Sequence, residues 1–221
     1  MSVEEDETLG PRTDLVTLTG ETGPNRKEQA GSHPHDCPFD PAGRFVVLPD
    51  KGLEGAGPRH IAFHPSLPVA YVINELSSTM TTYNYDTARG VLQAVQVLPT
   101  TPPSFTSNNT GAEVAVAPSG RFVYGSNRGH DSIAIFAVDR AKGTLTPVDW
   151  VSTQGRTPRF FALDGHLSLR RQPGHRHDRH LSRQPAQRTA HPDRSVRRTA
   201  IPVCKITIGG AVNSDPLGFR S

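Results

Sequence analysis

The chain has 221 residues, of which 34% are hydrophobic and 20% charged, and its formal net charge is +3. It contains no apolar run long enough to span a bilayer, so we expect no membrane partner. Its two cysteines, Cys37 and Cys204, form neither a metal-ligand spacing nor a disulfide framework. Composition therefore excludes a membrane protein and a disulfide scaffold, and it predicts a globular protein of a reducing compartment.

We predict a disordered or remnant N-terminal segment, 1–22. The chain opens with the acidic run Met1–Glu7 and has no apolar stretch of the kind that begins a secretory signal. We therefore expect a cytoplasmic location.

A repeat in strict register dominates the middle of the chain. Each copy begins at a proline and carries four further landmarks, 9, 21, 25 and 27 residues later. The landmarks are Asn74, Asp86, Gly90 and Leu92 after Pro65, and Asn127, Asp139, Gly143 and Leu145 after Pro118. Four landmarks that stay in step indicate two copies of one structural unit.

Two partial copies flank this pair. An earlier copy begins at Pro41 and stops at Glu54, and a later one opens at Arg159 and loses the pattern at Gly165. The stretch after Pro41 is about 23 residues shorter than its counterpart after Pro118. We therefore predict an internal deletion near residues 54–55, within a propeller domain that covers residues 23–164.

Both the repeat length and its texture indicate a β-propeller. A unit of roughly 50 residues is in the range of propeller blades rather than helical solenoids. Short runs rich in Val, Ile, Tyr and Phe alternate with turn residues. The Pro118 copy predicts the strands 113–117, 122–126, 132–138 and 145–151. We predict an all-β fold, a partial propeller of four-stranded antiparallel blades.

Several segments of these copies resemble the seven-bladed propeller lactonases, the 6-phosphogluconolactonase and carboxymuconate cyclase group. The segments are His33–His35, Gly57–Pro65, Tyr71–Glu75 and Gly120–Ser132. The resemblance covers about residues 23–164 and returns at 202–204. It implies a carbohydrate-metabolising hydrolase whose substrate is a sugar-phosphate or related anionic lactone. It also implies seven blades, whereas this chain has two nearly complete blades and parts of two or three more.

Charged residues recur at equivalent positions of the repeat. Six residues before the landmark proline lie His35 and Arg59, five before it lie His60 and Glu113, and ten after it lie Lys51, Glu75 and Arg128. Equivalent positions in a propeller lie at equal height around one axis, so we expect these side chains to converge on a charged ligand. No metal or cofactor is required by this arrangement.

Lactone hydrolysis needs a base, a group that holds the oxyanion, and cations for an anionic substrate. The resemblance implies that His35, Arg59, Glu75 and Arg128 occupy the family's active-site positions. The roles we assign are catalytic for His35, Glu75 and Arg128, and substrate-binding for Arg59, His60, Glu113 and His130.

Structural alternatives exist for several of these residues. His60 and His130 could form hydrogen bonds across blade turns, Arg59 and Arg159 could link neighbouring blades, and Glu113 could pair with an arginine. Asp50, Asp86 and Asp139 are typical turn formers at strand ends.

The segment 165–200 differs in composition from the rest of the chain. It holds nine Arg, two Asp and five of the ten His, so it contributes +7 and leaves −4 for the other 185 residues. Such a segment could bind RNA phosphates, but its length and position favour a shifted reading frame within a blade. We therefore expect no nucleic-acid partner, a disordered and protease-sensitive segment without regular strands, and a remnant strand and tail at 201–221.

Three classes of function are compatible with these residues: a lactonase, a lactone-forming cyclase that uses the same charged ring, and a non-catalytic propeller fragment. An unclosed ring has open strand edges and fixes residues from different blades poorly. We therefore expect this chain to show little or no hydrolysis. The sequence gives no indication of its oligomeric state.

Overall fold

A computed structural model describes residue 18, residues 20–53 and 55–163, and the backbone of residues 167–170. Within this part of the chain, every regular element is a β-strand. The first sheet consists of β1 (Pro58–Phe63), β2 (Val69–Asn74), β3 (Thr79–Asp86) and β4 (Val91–Pro99). The second consists of β5 (Thr110–Val116), β6 (Phe122–Arg128), β7 (Ser132–Val138) and β8 (Leu145–Ser152).

Each of these sheets is a four-stranded antiparallel meander whose spatial order follows the chain. The four strands predicted for the Pro118 copy are confirmed, since β5 to β8 overlap each of them. The two copies of the repeat are thus two complete blades. The predicted all-β partial propeller is confirmed.

The two blades pack face to face, and this explains the long apolar runs of their central strands. In β2, Val69, Tyr71 and Ile73 belong to the core between the blades, whereas Ala70 and Val72 pack on the opposite face against Val47. Successive side chains of a strand point to opposite faces. All six residues of β2 are therefore buried.

Strand β7 of the second blade repeats this arrangement. Ala134 and Phe136 face the first blade. Ile133 and Ile135 contact Phe161, which lies beyond the second blade. The outermost strand β4, by contrast, is largely exposed. Burial thus falls from the inner and central strands of a blade to its outer edge, as in a ring of blades around an axis.

The landmark aspartates and glycines form the turns between the third and fourth strands. Asp139 Oδ1 accepts hydrogen bonds from the amides of Ala141 and Lys142, at 2.8 and 2.9 Å. Gly143 has a φ of +72°, and a Cβ there would lie 2.8 Å from the Val69 side chain. A residue with a side chain would be strained and crowded at this position.

The corresponding turn of the first blade has the same design. Asp86 Oδ1 accepts hydrogen bonds from Ala88 and Arg89, and Gly90 has a φ of +66°. Asp50 caps a different loop by accepting from the Gly52 amide at 2.8 Å. The turn-forming role predicted for Asp50, Asp86 and Asp139 is confirmed.

Residues 20–53 precede the first blade and contain no extended strand. Two isolated bridges, Pro34 with Asp50 and Phe39 with Val46, hold two chain stretches together. Val47 packs on the first blade, and the buried Gln29 donates a hydrogen bond to the Lys51 carbonyl at 2.7 Å. The segment thereby covers one face of the first blade.

Beyond the second blade, β9 (Phe160–Leu163) pairs with β10 (Leu167–Arg170). The expectation of no regular strand in 165–200 is therefore wrong for residues 167–170, because the backbone there continues the antiparallel pairing begun by β9. The rest of that segment, 201–221 and nearly all of 1–22 lie outside the described residues. The domain limits and the deletion near residues 54–55 stay predictions.

Candidate functional site

Glu75 lies at the centre of a charged cluster that joins residues 20–53 to both blades. Its Oε2 is 2.9 Å from Arg59 Nε and 3.8 Å from His35 Nε2. Its Oε1 is 3.0 Å from Arg128 Nη2 and 3.5 Å from Lys51 Nζ. Three cations and one imidazole therefore surround a single carboxylate. We call these five residues the Glu75 cluster.

The repeat explains how the chain builds this cluster. Lys51, Glu75 and Arg128 occupy the same offset in three successive copies, and Glu75 and Arg128 lie at or just after the ends of β2 and β6. His35 and Arg59 share a second offset. The expected convergence of equivalent positions is thus what the structure shows for these five residues.

Main-chain carbonyls of the second blade anchor both arginines. Arg59 Nη1 donates to the Ala112 carbonyl at 2.5 Å, and Arg128 Nη2 donates to the Gly111 carbonyl at 3.1 Å. The Arg59 side chain is only 2% exposed. Arg59 thus bridges the two blades, as its structural alternative proposed, while its Nε faces Glu75.

The cluster keeps Glu75 ionised. Burial alone would raise the pKa of its carboxyl, but Arg128, through charge and a hydrogen bond, together with Arg59 and Lys51, lowers the pKa below its usual value. Burial lowers the pKa of Arg59 to about 10, and Arg128 acts in the same direction. Arg59 remains charged at neutral pH, so an anionic ligand meets several fixed cations.

His35 is uncharged in this environment. Burial, followed by the positive charge of Arg59, lowers the pKa of His35 to about 3, against the opposing effect of Glu75. Its ring stacks on that of His33 with centroids 5.1 Å apart. His35 therefore presents an unprotonated imidazole at neutral pH.

Several polar atoms of the cluster are buried without a hydrogen bond among the described residues. They are His35 Nε2, Arg59 Nε, Glu75 Oε2 and Arg128 Nε. The contact between Arg59 Nε and Glu75 Oε2 is an ion pair without hydrogen-bond alignment. Buried polar atoms are normally satisfied, so these four atoms leave hydrogen-bonding capacity for a polar group in the cluster.

His60 and Glu113 form a separate pair beside the cluster. His60 Nδ1 lies 2.8 Å from Glu113 Oε1, which also accepts from the Val114 amide at 3.1 Å. The alternative that Glu113 pairs with an arginine is wrong, because its ion-pair partner is His60. Both side chains are mostly buried.

His130 has different surroundings. Its Nδ1 is 2.7 Å from Ser132 Oγ, its amide donates to Asn109 Oδ1, and its ring meets Phe105 edge-on. These contacts lie at the turn between β6 and β7. The structure does not bring His130 into contact with the Glu75 cluster, in line with its structural alternative.

The sequence of this chain matches a known protein family. The family described as "Lactonase, 7-bladed beta-propeller" matches residues 1–54 and 53–169. This chain belongs to the seven-bladed propeller lactonase family. The family predicted from sequence resemblance is confirmed.

Characterised relatives of this lactonase-family chain are longer than it is. It is 38% identical to the 6-phosphogluconolactonase of Bacillus subtilis, over 73% of this chain and 52% of that protein. It is 40% identical to that of Pectobacterium carotovorum, over 51% of this chain and 33% of that protein. The chain thus spans about half the length, or less, of these relatives.

Solved structures give the same proportion. A protein from Lactobacillus plantarum is 32% identical to this chain, with a TM-score of 0.67. The match covers 73% of this chain and 53% of that protein. The periplasmic gluconolactonase of Pseudomonas aeruginosa is 26% identical, with a TM-score of 0.66. The match covers 73% of this chain and 52% of that protein. Among the described residues of the present chain, no helix has the length and apolarity needed to cross a membrane.

Sequence reasoning gave Lys51 an equivalent offset but no role. Its side chain is only 4% exposed, and its Nζ contacts Glu28 Oε2 at 2.7 Å as well as Glu75. The offset shared with Glu75 and Arg128 was the signal for Lys51. No repeat signal marks Glu28. No group of three or more metal-ligating side chains occurs in the described part of the chain.

Proposed function

We propose that this chain binds a small anionic lactone at the Glu75 cluster and hydrolyses it. The observation that supports this most strongly is the convergence of Lys51, Arg59 and Arg128 on one carboxylate, together with buried nitrogen atoms of His35 and both arginines that form no hydrogen bond. Glu28 also pairs with Lys51, so two carboxylates face three cations and one positive charge is left over. A ligand with its own negative charge completes the site.

The substrate we propose is a sugar-phosphate lactone such as 6-phosphogluconolactone. Guanidinium groups hold phosphate or carboxylate through two parallel hydrogen bonds. The names of the Bacillus and Pectobacterium relatives support the phosphate ester over other anions. We place the anion near Arg59, with His60 beside it as a substrate-contacting residue and Glu113 as the partner of His60. His130 is outside the proposed site because its contacts lie at the neighbouring turn.

In the proposed reaction a water oxygen attacks the lactone carbonyl. The unprotonated Nε2 of His35 takes a proton from this water, while Arg128 stabilises the negative charge that develops on the carbonyl oxygen. Glu75, ionised and held by three cations, keeps these groups in register. Cleavage of the bond to the ring oxygen then gives a hydroxy acid.

Binding and turnover should be measured separately. Calorimetric titration with 6-phosphogluconate, the product, tests the anion site. Acid release from 6-phosphogluconolactone, corrected for spontaneous hydrolysis, tests the reaction.

Arg59→Leu and Arg89→Leu form a matched pair for the binding test. Arg59 is buried in the cluster, whereas Arg89 pairs with Asp86 on the surface of the first blade. Loss of product binding in Arg59→Leu alone supports the proposal. Equal binding by both variants, or no binding by the unmodified chain, contradicts it.

A lactone-forming cyclase is the second candidate, favoured by the same ring of charges. The direction of reaction distinguishes the two. Incubation of the chain with cis,cis-carboxymuconate and with the sugar-phosphate lactone shows which substrate is consumed.

A further inference from the structure

The pair formed by His60 and Glu113 joins the two blades next to the Glu75 cluster. His60 follows Arg59 in β1, Glu113 follows Ala112 in β5, and Arg59 donates a hydrogen bond to the Ala112 carbonyl. The backbone thus places the pair immediately beside the cluster. The negative charge of Glu113 also opposes the lowering of the Arg59 pKa, which agrees with this proximity.

Both inner strands are irregular at this point. The pairing of β1 with β2 shifts between Pro58 and His60, and that of β5 with β6 shifts between Gly111 and Val114. Such bulges re-aim side chains and are common beside active sites. Two bulges at equivalent positions of the repeat bring His60 and Glu113 together across the gap between blades.

The contact with Glu113 fixes the orientation of the His60 imidazole through one of its two nitrogen atoms. Glu113 Oε1 lies 2.8 Å from His60 Nδ1, so a neutral ring carries its proton on Nδ1, and a charged ring has the carboxylate as its counter-ion. The described residues give His60 Nε2 no hydrogen-bond partner. A carboxylate that orients one ring nitrogen while the other stays free is the usual arrangement of a proton-transferring histidine.

Lactone opening requires a proton donor as well as a base, because the departing ring oxygen must become a hydroxyl group. Within the Glu75 cluster, His35 is unprotonated and Glu75 is ionised. The arginines stabilise charge but hold their protons too tightly to act as acids near neutral pH. The ammonium group of Lys51 is held by Glu28 and Glu75. At rest the cluster therefore offers no free proton donor to the ring oxygen, and His35 gains a proton only from the attacking water.

We propose that His60 is this general acid and that Glu113 is its positioning residue, an inference that rests on the proposed lactonase function. When the bond between the carbonyl carbon and the ring oxygen breaks, its electron pair goes to the ring oxygen, which takes the proton from His60 Nε2. His35 has taken one proton from water in the attack step. Exchange with solvent reloads His60 and discharges His35, so lactone and water become hydroxy acid.

The test compares leaving groups. An alkoxide, released from 6-phosphogluconolactone, needs protonation as it departs, whereas a phenoxide, released from a carboxylated dihydrocoumarin, departs without it. His60→Gln should lower the turnover number for the sugar lactone by about a hundredfold or more and that for the phenolic lactone by less than about fivefold. A purely structural role would lower both equally.

Glu113→Gln provides a second variant in case His60→Gln does not fold. The amide keeps a hydrogen-bond partner for His60 but removes the counter-charge of the imidazolium. We expect about a tenfold loss for the sugar lactone and little change for the phenolic one. Because His60 lies beside the proposed substrate, some loss of affinity is expected, but calorimetry with 6-phosphogluconate should show a smaller loss of binding than of turnover in both variants.

Each outcome decides the question. Selective loss with the alkoxide substrate supports the acid role of His60. Equal loss with both substrates, or unchanged turnover in either variant, overturns that role while leaving the lactonase proposal intact. An unmodified chain that hydrolyses neither lactone overturns the lactonase proposal itself, and the role of His60 with it.

Discussion

Residues 20–53 and the two complete blades contribute to one site with very different amounts of regular structure. In the blades, Arg59, Glu75 and Arg128 lie on or next to β-strands. One of these strands, β2, is covered on both faces. The N-terminal segment holds His35 and Lys51 with two isolated bridges. Side chains at equivalent repeat positions thus reach the Glu75 cluster both from regular strands and from a segment without extended strands.

The first way to break this comparison is to truncate one phenylalanine in each region. Phe136 is fully buried between the blades, and Phe39 of the segment is 64% exposed. Phe136→Ala should lower the free energy of unfolding by about 3–5 kcal/mol, and Phe39→Ala by less than about 0.5 kcal/mol. Urea denaturation measures both. Similar losses would show that the segment is as integral to the core as the blades are.

The second prediction concerns the residue that joins the regions. Glu75→Gln removes the carboxylate shared by Lys51, Arg59 and Arg128. The three positive charges should then repel one another and move apart. Turnover should fall about a hundredfold, which corresponds to about 2.7 kcal/mol of transition-state stabilisation. Steady-state kinetics with 6-phosphogluconolactone measures this. Turnover equal to that of the unmodified chain would remove Glu75 from the proposed site.

A third prediction compares a cation from each region. Arg128→Ala and Lys51→Ala each remove one charge next to Glu75, but only Arg128 offers a planar fork to an anion. Arg128→Ala should lower the turnover number by about 10- to 100-fold, because the contact with the developing oxyanion is made in the transition state. Lys51→Ala should have a smaller effect. The reverse ranking would make Lys51 of the segment the principal oxyanion-stabilising residue.

The fourth prediction uses His35 as a reporter of the segment. Its pKa is about 3 in the folded chain and 6.5 in the unfolded chain, so the unfolded state binds more protons between these values. Stability should therefore fall as pH decreases from about 6.5 toward 3, by at most about 1.4 kcal/mol per pH unit from this group.

His35→Gln removes that titration, and its urea-derived stability should depend less on pH in the same window. Glu75, whose pKa is also lowered, contributes below pH 4.5 in both proteins. Identical pH dependence of the two proteins between pH 6.5 and 4.5 would mean that His35 is not held in the cluster.

The repeat made the blades predictable, because its landmarks are tied to turns that only certain residues form. Asp139 and Gly143 specify the same turn as Asp86 and Gly90, and apolar runs between such turns specify strands. Equal offsets also predicted which charges converge. These features are local or periodic, and a single sequence displays both.

Pairings between blades could not be predicted in the same way. The contact of His60 with Glu113 depends on two bulges. Pro58 and Gly111, where the two irregularities begin, are residue types common both at bulges and at turns, so they do not specify a pairing between blades. In the sequence His130 lies two residues after Arg128, but the turn between β6 and β7 directs its side chain to Ser132 and Phe105. Glu28 lies in irregular structure and matches no landmark.

The anchoring of Arg59 on a main-chain carbonyl has a consequence for how this site can change over time. The acceptor is the Ala112 carbonyl, which every amino acid supplies, so no substitution of that side chain removes the hydrogen bond directly. Size alone restricts the position, since Ala112 is completely buried. A search for correlated substitutions would therefore find no side-chain partner for this hydrogen bond at position 112, although the two blades meet at Arg59.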